Sequence, residues 1–158
     1  MVKNIKNYII IILILLFANC SVFTAHGRAF KKAENSQKRG DYYKAVLECV
    51  ESIKAKSDYE KPLILMDVVF PKAIYSYNQK IDRFIKKENK NWDIIIQSYK
   101  EIIYMINIVE DLNTLKKEIW LNSSDIRDYE LELNELKIDA AEFYYNKATK
   151  LMNKNNQE

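Results

Sequence analysis

The chain of 158 residues contains very little glycine and proline, with two residues of each. Folds built only from β-strands need many tight turns, and they use glycine and proline to make them. The scarcity of both residues therefore argues against such a fold. Long uninterrupted stretches are instead rich in lysine, glutamate, leucine and alanine, which are good helix formers. We predict an all-α protein.

Histidine and cysteine are also scarce, with His26 as the single histidine and Cys20 and Cys49 as the two cysteines. One histidine outside the predicted packed domain leaves no Ser–His–Asp triad and no multi-histidine metal site within it. Cys49 falls on the apolar face of a predicted helix, where a small buried hydrophobe is a commoner role than a nucleophile. Glycine-rich phosphate loops and cysteine pairs at zinc spacing are missing. We predict no enzyme activity, metal or bound cofactor.

Long hydrophobic runs are rare, and the one that stands out comes first. Tyr8 to Ala18 is an unbroken apolar run of eleven residues that follows Lys3 and Lys6 and ends at Asn19. A membrane-spanning helix needs about 20 apolar residues, so this run is short for a span. Basic residues followed by a short apolar run are typical of a secretory signal peptide.

The end of this run carries the sequence LFANCS, in which Cys20 is the fifth residue. This sequence resembles the lipobox of bacterial lipoproteins, in the relaxed form of spirochaete lipoproteins. The resemblance implies that residues 1–19 are removed and that the sulfur and new amino group of Cys20 are acylated. Two or three acyl chains anchor a protein stably to a bilayer. The alternatives are an ordinary signal peptide with an incidental Cys20, or an uncleaved N-terminal anchor.

A strong excess of one charge is absent as well. Loss of Lys3 and Lys6 with the signal lowers lysine plus arginine from 25 to 23, against 22 acidic residues. The mature protein would then carry a net charge of about +1, so the basic precursor gives no reason to expect nucleic-acid binding.

We predict four segments: a signal peptide over 1–19, a lipidated tether over 20–27, an all-helical domain over 28–152 and a frayed tail over 153–158. The first helix is predicted from near Arg28 to Lys38, and Pro71 is predicted to kink or break a later helix.

Apolar residues recur at helical spacing. The predicted inward faces carry Phe30, Ala33 and Gln37; Tyr42, Ala45, Val46, Cys49 and Ile53; Leu63, Met66, Phe70, Ile74, Tyr77, Ile81 and Phe84; Trp92, Ile95, Ile96, Tyr99, Ile102, Ile103 and Ile106, continued by Leu112, Leu115 and Ile119; and Tyr129, Leu133, Leu136, Ala140, Phe143, Ala148 and Leu151.

One segment, 30–57, reads FKKAENSQKRGDYYKAVLECVESIKAKS. It resembles a tetratricopeptide (TPR) repeat, in which a glycine turn and an aromatic residue join two helices and small residues allow their close approach. The residues that carry the resemblance are Ala33, Gly40, Asp41, Tyr42, Ala45 and, in a second and looser copy, Trp92. It implies antiparallel helix pairs stacked as a short TPR-like solenoid. A closed helical bundle is the alternative.

Tyrosine is abundant, with eleven residues, and neighbouring tyrosines on one helix cannot all face a single core. Tyr43, Tyr104 and Tyr145 are candidate partner-binding residues, because tyrosine offers a large contact area at low entropic cost. The alternative is that such tyrosines sit at helix boundaries with the hydroxyl in water.

These features predict a membrane-anchored, non-catalytic adaptor of the cell envelope that binds protein partners. A lipoprotein with such repeats resembles accessory subunits of the outer-membrane β-barrel assembly machinery. This resemblance implies that the protein lies on the periplasmic side of the outer membrane. The expected contacts are partner proteins and, through acylated Cys20, the bilayer, with neither nucleic acid nor metal. The alternative is a surface-exposed helical lipoprotein that binds a host or external ligand.

Overall fold

The structure is a computed structural model that describes residues 24–155. These residues form six α-helices and contain no β-strand: α1 Ala25–Lys38, α2 Tyr42–Ala55, α3 Glu60–Ile85, α4 Trp92–Glu110, α5 Lys116–Ser123 and α6 Tyr129–Asn155. The predicted all-α class is confirmed. The predicted signal peptide, and Cys20 with it, lies outside the described residues.

The turn between α1 and α2 is built from Gly40 and Asp41. Gly40 has a φ of +75°, a left-handed conformation that glycine adopts without strain. Its N–H donates to the Gln37 carbonyl at 2.9 Å, and the Asp41 N–H donates to the Ser36 carbonyl at 3.0 Å. These are the two hydrogen bonds of a Schellman motif. Asp41 then caps α2, because its side chain accepts from the Lys44 N–H at 3.2 Å. Gly40 therefore ends α1 and Asp41 begins α2 within one tight turn.

The face that α1 buries differs from the predicted one. Small residues occupy it, namely Gly27, Ala29, Ala33 and Ser36. Phe30 and Gln37 are only half-buried, and the Phe30 ring packs edge-on against Tyr59, with 5.7 Å between centroids. Small side chains allow two helices to approach closely, so the bulky ring is displaced to the edge of the interface. Ala45 on α2 is also completely buried.

The start of α1 corrects the predicted tether. The helix begins at Ala25 rather than near Arg28, and the Thr24 hydroxyl caps it by accepting from the Gly27 N–H at 3.2 Å. His26 lies in the first turn, with its ring 4.9 Å from that of Tyr59. Its carbonyl accepts from the Ser52 hydroxyl at 2.8 Å. The helix therefore takes in residues 25–27, which were predicted as the end of the 20–27 tether.

Of the kink or break predicted at Pro71, the break is wrong, because α3 continues through this residue as one helix. Proline removes one backbone hydrogen bond from a helix interior. Fully buried Phe70 and Ala73 lie on either side of it, so packing holds the helix together where a backbone bond is missing.

The end of α4 also departs from the predicted pattern. Leu112 is buried, but Leu115 is 93 % exposed and Ile119 is exposed, whereas both were predicted to continue the inward face. The reason is that residues 111–115 are not helical, so α5 restarts with a different phase. Trp120 faces inward instead, with an exposure of 1 %.

The last helix leaves the core part-way along its length. Leu133, Leu136 and Ala140 are buried as predicted, whereas all residues from 141 to 153 are exposed. Predicted burial of Phe143, Ala148 and Leu151 is therefore wrong. Phe143 still contacts the rest of the domain through Trp92, with 6.1 Å between the ring centroids. The helix continues to Asn155, so the predicted frayed tail is wrong for residues 153–155. Residues 156–158 lie outside the described residues.

The helices pack in an order that follows the chain. α1 contacts α2, α2 contacts α3, α3 contacts α4, and α4 contacts α6; α1 also contacts α3, α2 also contacts α4, and α5 lies against α3 and α4. Between residues 24 and 155, no helix combines the length and the hydrophobicity that crossing a membrane would require.

Candidate partner-binding surface

An open cleft of about 640 Å³ lies between the start of α2 and the second half of α3. Six of its lining residues recur every three or four positions along α3, so they share one face of that helix. Tyr42 at the first position of α2 forms the opposite wall. The lining residues are Tyr42, Lys72, Tyr75, Ser76, Gln79, Lys80 and Arg83.

The cleft is cationic and aromatic. Its lining includes the three cations Lys72, Lys80 and Arg83 and contains no carboxylate. The Lys72 ammonium lies 5.3 Å from the centroid of the Tyr42 ring, which is a cation–π distance. Tyr75 is exposed and unpacked, so its ring is available as an anchor for a partner. Chemically, this arrangement suits a ligand that carries carboxylates beside an apolar group.

A hydrogen-bonded network fixes the helices behind the cleft. The Tyr77 hydroxyl donates to Glu101 Oε2 at 2.8 Å, and Gln97 Nε2 donates to Glu101 Oε1 at 3.0 Å. The Lys80 ammonium is 3.9 Å from Glu101 Oε2. Burial, followed by the hydrogen bond to Glu101, raises the pKa of Tyr77 far above its usual value. The phenol therefore stays protonated and keeps donating, which ties α3 to α4.

The three predicted partner-binding tyrosines do not form one site. Tyr43 is half-buried and packs on Tyr77, with 5.4 Å between centroids. Its pKa is raised, first by burial and then by Glu101 and Tyr104 of α4. Tyr104 is exposed, and Tyr145 is 71 % exposed on the projecting part of α6.

A second groove, of about 430 Å³, separates α4 from α6. Tyr104 contributes to its wall, so this tyrosine does lie at a concave surface. The groove carries charges of both signs, so it is less complementary to an anionic ligand than the α2–α3 cleft is. Its lining residues are Lys100, Ile103, Tyr104, Asn107, Glu130, Leu133, Asn134 and Lys137.

The cations of the α2–α3 cleft were missed at the level of sequence, although their spacing was visible. Lys72, Lys80 and Arg83 fall at eight- and three-residue intervals, on the outward side of the α3 stripe. The spacing did not predict which residue forms the opposite wall of the cleft. Tyr42 was predicted as a packing residue of the repeat turn, and it is half-buried at the cleft edge.

The turn before α4, predicted as a second and looser copy of the repeat turn, is capped in the same way as the turn before α2. Asn91 caps α4 by accepting from the Ile94 N–H at 3.2 Å, as Asp41 caps α2. Trp92 follows and is buried, with the Lys90 ammonium 4.9 Å from its ring centroid. Ile95 is fully buried three positions later, where α2 has Ala45. The bulkier isoleucine fills space that an alanine would leave to a closely packed neighbour.

Cys49 is completely buried, and burial raises its pKa to about 12. A thiol that stays protonated in the folded protein but ionises near pH 9 in the unfolded chain makes the unfolded state bind fewer protons above pH 9. We therefore expect stability to fall as the pH rises from 9 towards 12. The measurement is the urea midpoint at pH 8 and pH 10.5.

The matched control for this prediction is Cys49→Ala. This variant removes the thiol but keeps the buried tyrosines, whose raised pKa values also reduce stability above pH 10. Its urea midpoint should decline less steeply with pH than that of the unaltered chain. Equal slopes would show that the Cys49 thiol ionises as easily in the folded state as in the unfolded state.

Across residues 24–155, no three histidine, cysteine, aspartate or glutamate side chains are grouped as a metal site would need. Comparison of the chain with protein-family models, curated proteins and solved structures finds no match. The argument for function therefore rests on the surfaces of the molecule itself.

Proposed function

We propose that this protein is a membrane-anchored, non-catalytic adaptor of the cell envelope that binds an acidic segment of a partner protein in the α2–α3 cleft. The observation that carries this proposal is the lining of the cleft, which combines Lys72, Lys80 and Arg83 with two tyrosines and no carboxylate. Tyr42 and Tyr75 supply the apolar contact, and the cations supply charge complementarity.

The expected affinity is modest. An exposed ion pair contributes about 0.2–1 kcal/mol, so three cations alone give limited binding energy. A well-packed tyrosine at the centre of an interface adds about 1 kcal/mol or more. The charges then act mainly on specificity and on the rate of association, so binding should weaken at high salt. A transient adaptor contact fits these magnitudes.

We propose further that the helix pairs form a short TPR-like solenoid. Support comes from packing that follows the chain, with each of the first three helices touching its neighbour and the next one. Such nearest-neighbour packing is what stacked repeats produce. The capped turn at Gly40 and Asp41, and the small buried residues Ala33 and Ala45, support the same arrangement.

The anchor in this proposal is the acylated Cys20. Three residues lie between Cys20 and Thr24, and a fully extended chain spans about 14 Å at most over these four residue-to-residue steps. The helical domain would therefore sit directly against the bilayer and present its clefts to partners near the membrane surface. We propose the periplasmic face of the outer membrane, with a component of β-barrel assembly as the candidate partner.

The experiment is crosslinking in native cells followed by purification through a C-terminal tag. The test variant is Lys72→Glu with Arg83→Glu, which reverses two cations of the cleft. The matched control is Lys61→Glu with Lys86→Glu, which makes the same change of net charge at exposed positions near the two ends of α3 and outside the cleft. We expect recovery of an envelope partner to fall about tenfold or more in the test variant only.

Two results would contradict the proposal. Equal recovery in the test and control variants would show that the cleft is not the binding surface. If the unaltered chain recovers no envelope protein, the proposed adaptor function itself is contradicted. Recovery that falls with the test variant alone, and that also falls at high salt, would support an acidic partner segment.

A further inference from the structure

The outer face of α6 carries four large apolar side chains that nothing in the described chain covers. They are Leu131, Ile138, Tyr145 and Met152, and all are exposed, Ile138 to 70 %. The interval between successive members is seven residues. Because seven residues make almost two turns of helix, these side chains form one stripe along the axis. At 27 residues, the helix is about 40 Å long.

A second series at the same interval completes a coiled-coil seam. Asn134, Ala141 and Ala148 each follow a member of the first series by three residues, and all are exposed. Alternating steps of three and four are the pattern by which one helix packs against another. The side of α6 that packs on the domain, with Leu133, Leu136 and Ala140, is a different face. Asn134 lies where the seam meets the α4–α6 groove, and the other seam residues touch no other helix of the described chain. The period of the seam fits a helix as its partner.

The charges of α6 indicate which helix that is. The first half, 129–142, carries five acidic residues and one lysine, and the second half, 143–155, carries three lysines and no acid. The acids Glu135, Asp139 and Glu142 and the bases Lys147 and Lys150 are exposed and take part in no ion pair within residues 24–155. A second copy in antiparallel orientation would set the acidic half of each helix beside the basic half of the other. A parallel copy would set like charges together.

We propose that two copies of this chain pair in antiparallel orientation through the α6 seam. The projecting second half of each helix then covers the outer face of the first half of the other, around a two-fold axis near Ala141. In this pairing the apolar stripe of each copy is covered along its length by the stripe of the other copy. This pairing uses none of the residues that line the α2–α3 cleft, so it stands independently of the adaptor function.

Single cysteine substitutions in the full-length protein, oxidised in its own membranes, test this geometry. Ala141→Cys lies near the two-fold axis and should form a disulfide with its own copy. Leu131→Cys and Met152→Cys should not self-crosslink, but should crosslink to each other when two differently tagged chains are expressed together. Cys49 is completely buried and does not compete, and Cys20 is common to every variant, so the unaltered chain measures the background from the native cysteines. The control for random collision is Leu115→Cys, which is highly exposed on another part of the molecule.

We expect Ala141→Cys to give at least about ten times the dimer of Leu115→Cys, and Ile138→Glu to abolish this excess without loss of helical circular dichroism. Self-crosslinking of both Leu131→Cys and Met152→Cys would show a parallel pair and overturn the proposal. Crosslinks no stronger than the collision control, or crosslinks to a different protein only, would overturn it as well.

Discussion

Replacement of Trp120 by alanine should lower the free energy of unfolding by about 3–5 kcal/mol, the range for loss of a large aromatic side chain from a packed site. Trp120 is among the largest fully buried side chains and is the one buried residue of the eight-residue helix α5. Its indole N–H donates to Asp67 Oδ1 at 2.6 Å, and the Lys116 ammonium lies 3.0 Å from Asp67 Oδ2. The substitution removes the buried ring and one of the two contacts with Asp67 that hold α5 to α3, and leaves only the exposed ion pair of Lys116.

The measurement is urea unfolding followed by circular dichroism, with Ile119→Ala as the matched control. Ile119 lies next to Trp120 on the same helix but is exposed, so its truncation should change stability by no more than about 0.5 kcal/mol. Trp120→Phe keeps most of the ring packing and loses the indole donor, and should fall between the two variants. A Trp120→Ala loss as small as that of Ile119→Ala would show that α5 is not docked.

Loss of the packing of α5 is expected to lower stability strongly because this helix leads into the segment that positions α6. Asn78 on α3 donates to the Asp125 carbonyl at 3.0 Å and accepts from the Tyr129 hydroxyl at 2.7 Å. Arg127 also donates to Asp82 of α3 at 3.0 Å. The long helix α3 therefore serves two purposes: one face lines the cationic cleft, and another fixes the start of α6.

Much of the helical core follows directly from the sequence. In α4 the predicted stripe is correct, because a long regular helix keeps its phase and each apolar residue at three- or four-residue spacing reaches the same side. The α1–α2 turn is equally local. A left-handed glycine followed by an aspartate cap requires only the residues of the turn itself, so Gly40 and Asp41 are readable without knowledge of the fold.

The rest depends on distant contacts. Leu115 and Ile119 were predicted to face inward and are exposed, and Trp120 is buried instead, because five non-helical residues reset the helical phase by an amount that no local signal gives. The apolar spacing of the inward face of α6 continues into its exposed second half, so the spacing alone does not predict where burial stops. Likewise, Lys72 and Tyr42 meet across a cleft because α2 and α3 pack together, which sequence spacing alone does not predict.

Replacement of Cys20 by serine should abolish fatty-acid labelling of the protein and retain residues 1–19, so that the variant runs at the mass of the precursor. The reason is that a thiol is the proposed site of the diacylglyceryl group, and the cut before it depends on that group. The measurement is metabolic labelling with a tagged fatty acid, together with the mass of the N-terminal peptide. Cys49→Ala, which removes the other cysteine, should be labelled and processed normally.

The three interpretations of the N-terminus give different results in this experiment. An ordinary signal peptide predicts no label on the unaltered chain and normal cleavage of Cys20→Ser. An uncleaved anchor predicts residues 1–19 on both chains. Only the lipoprotein interpretation predicts a labelled, cleaved chain that becomes unlabelled and uncleaved with a single substitution. Two or three acyl chains anchor almost permanently, so this one sulfur would decide whether the clefts of the domain work at a membrane surface.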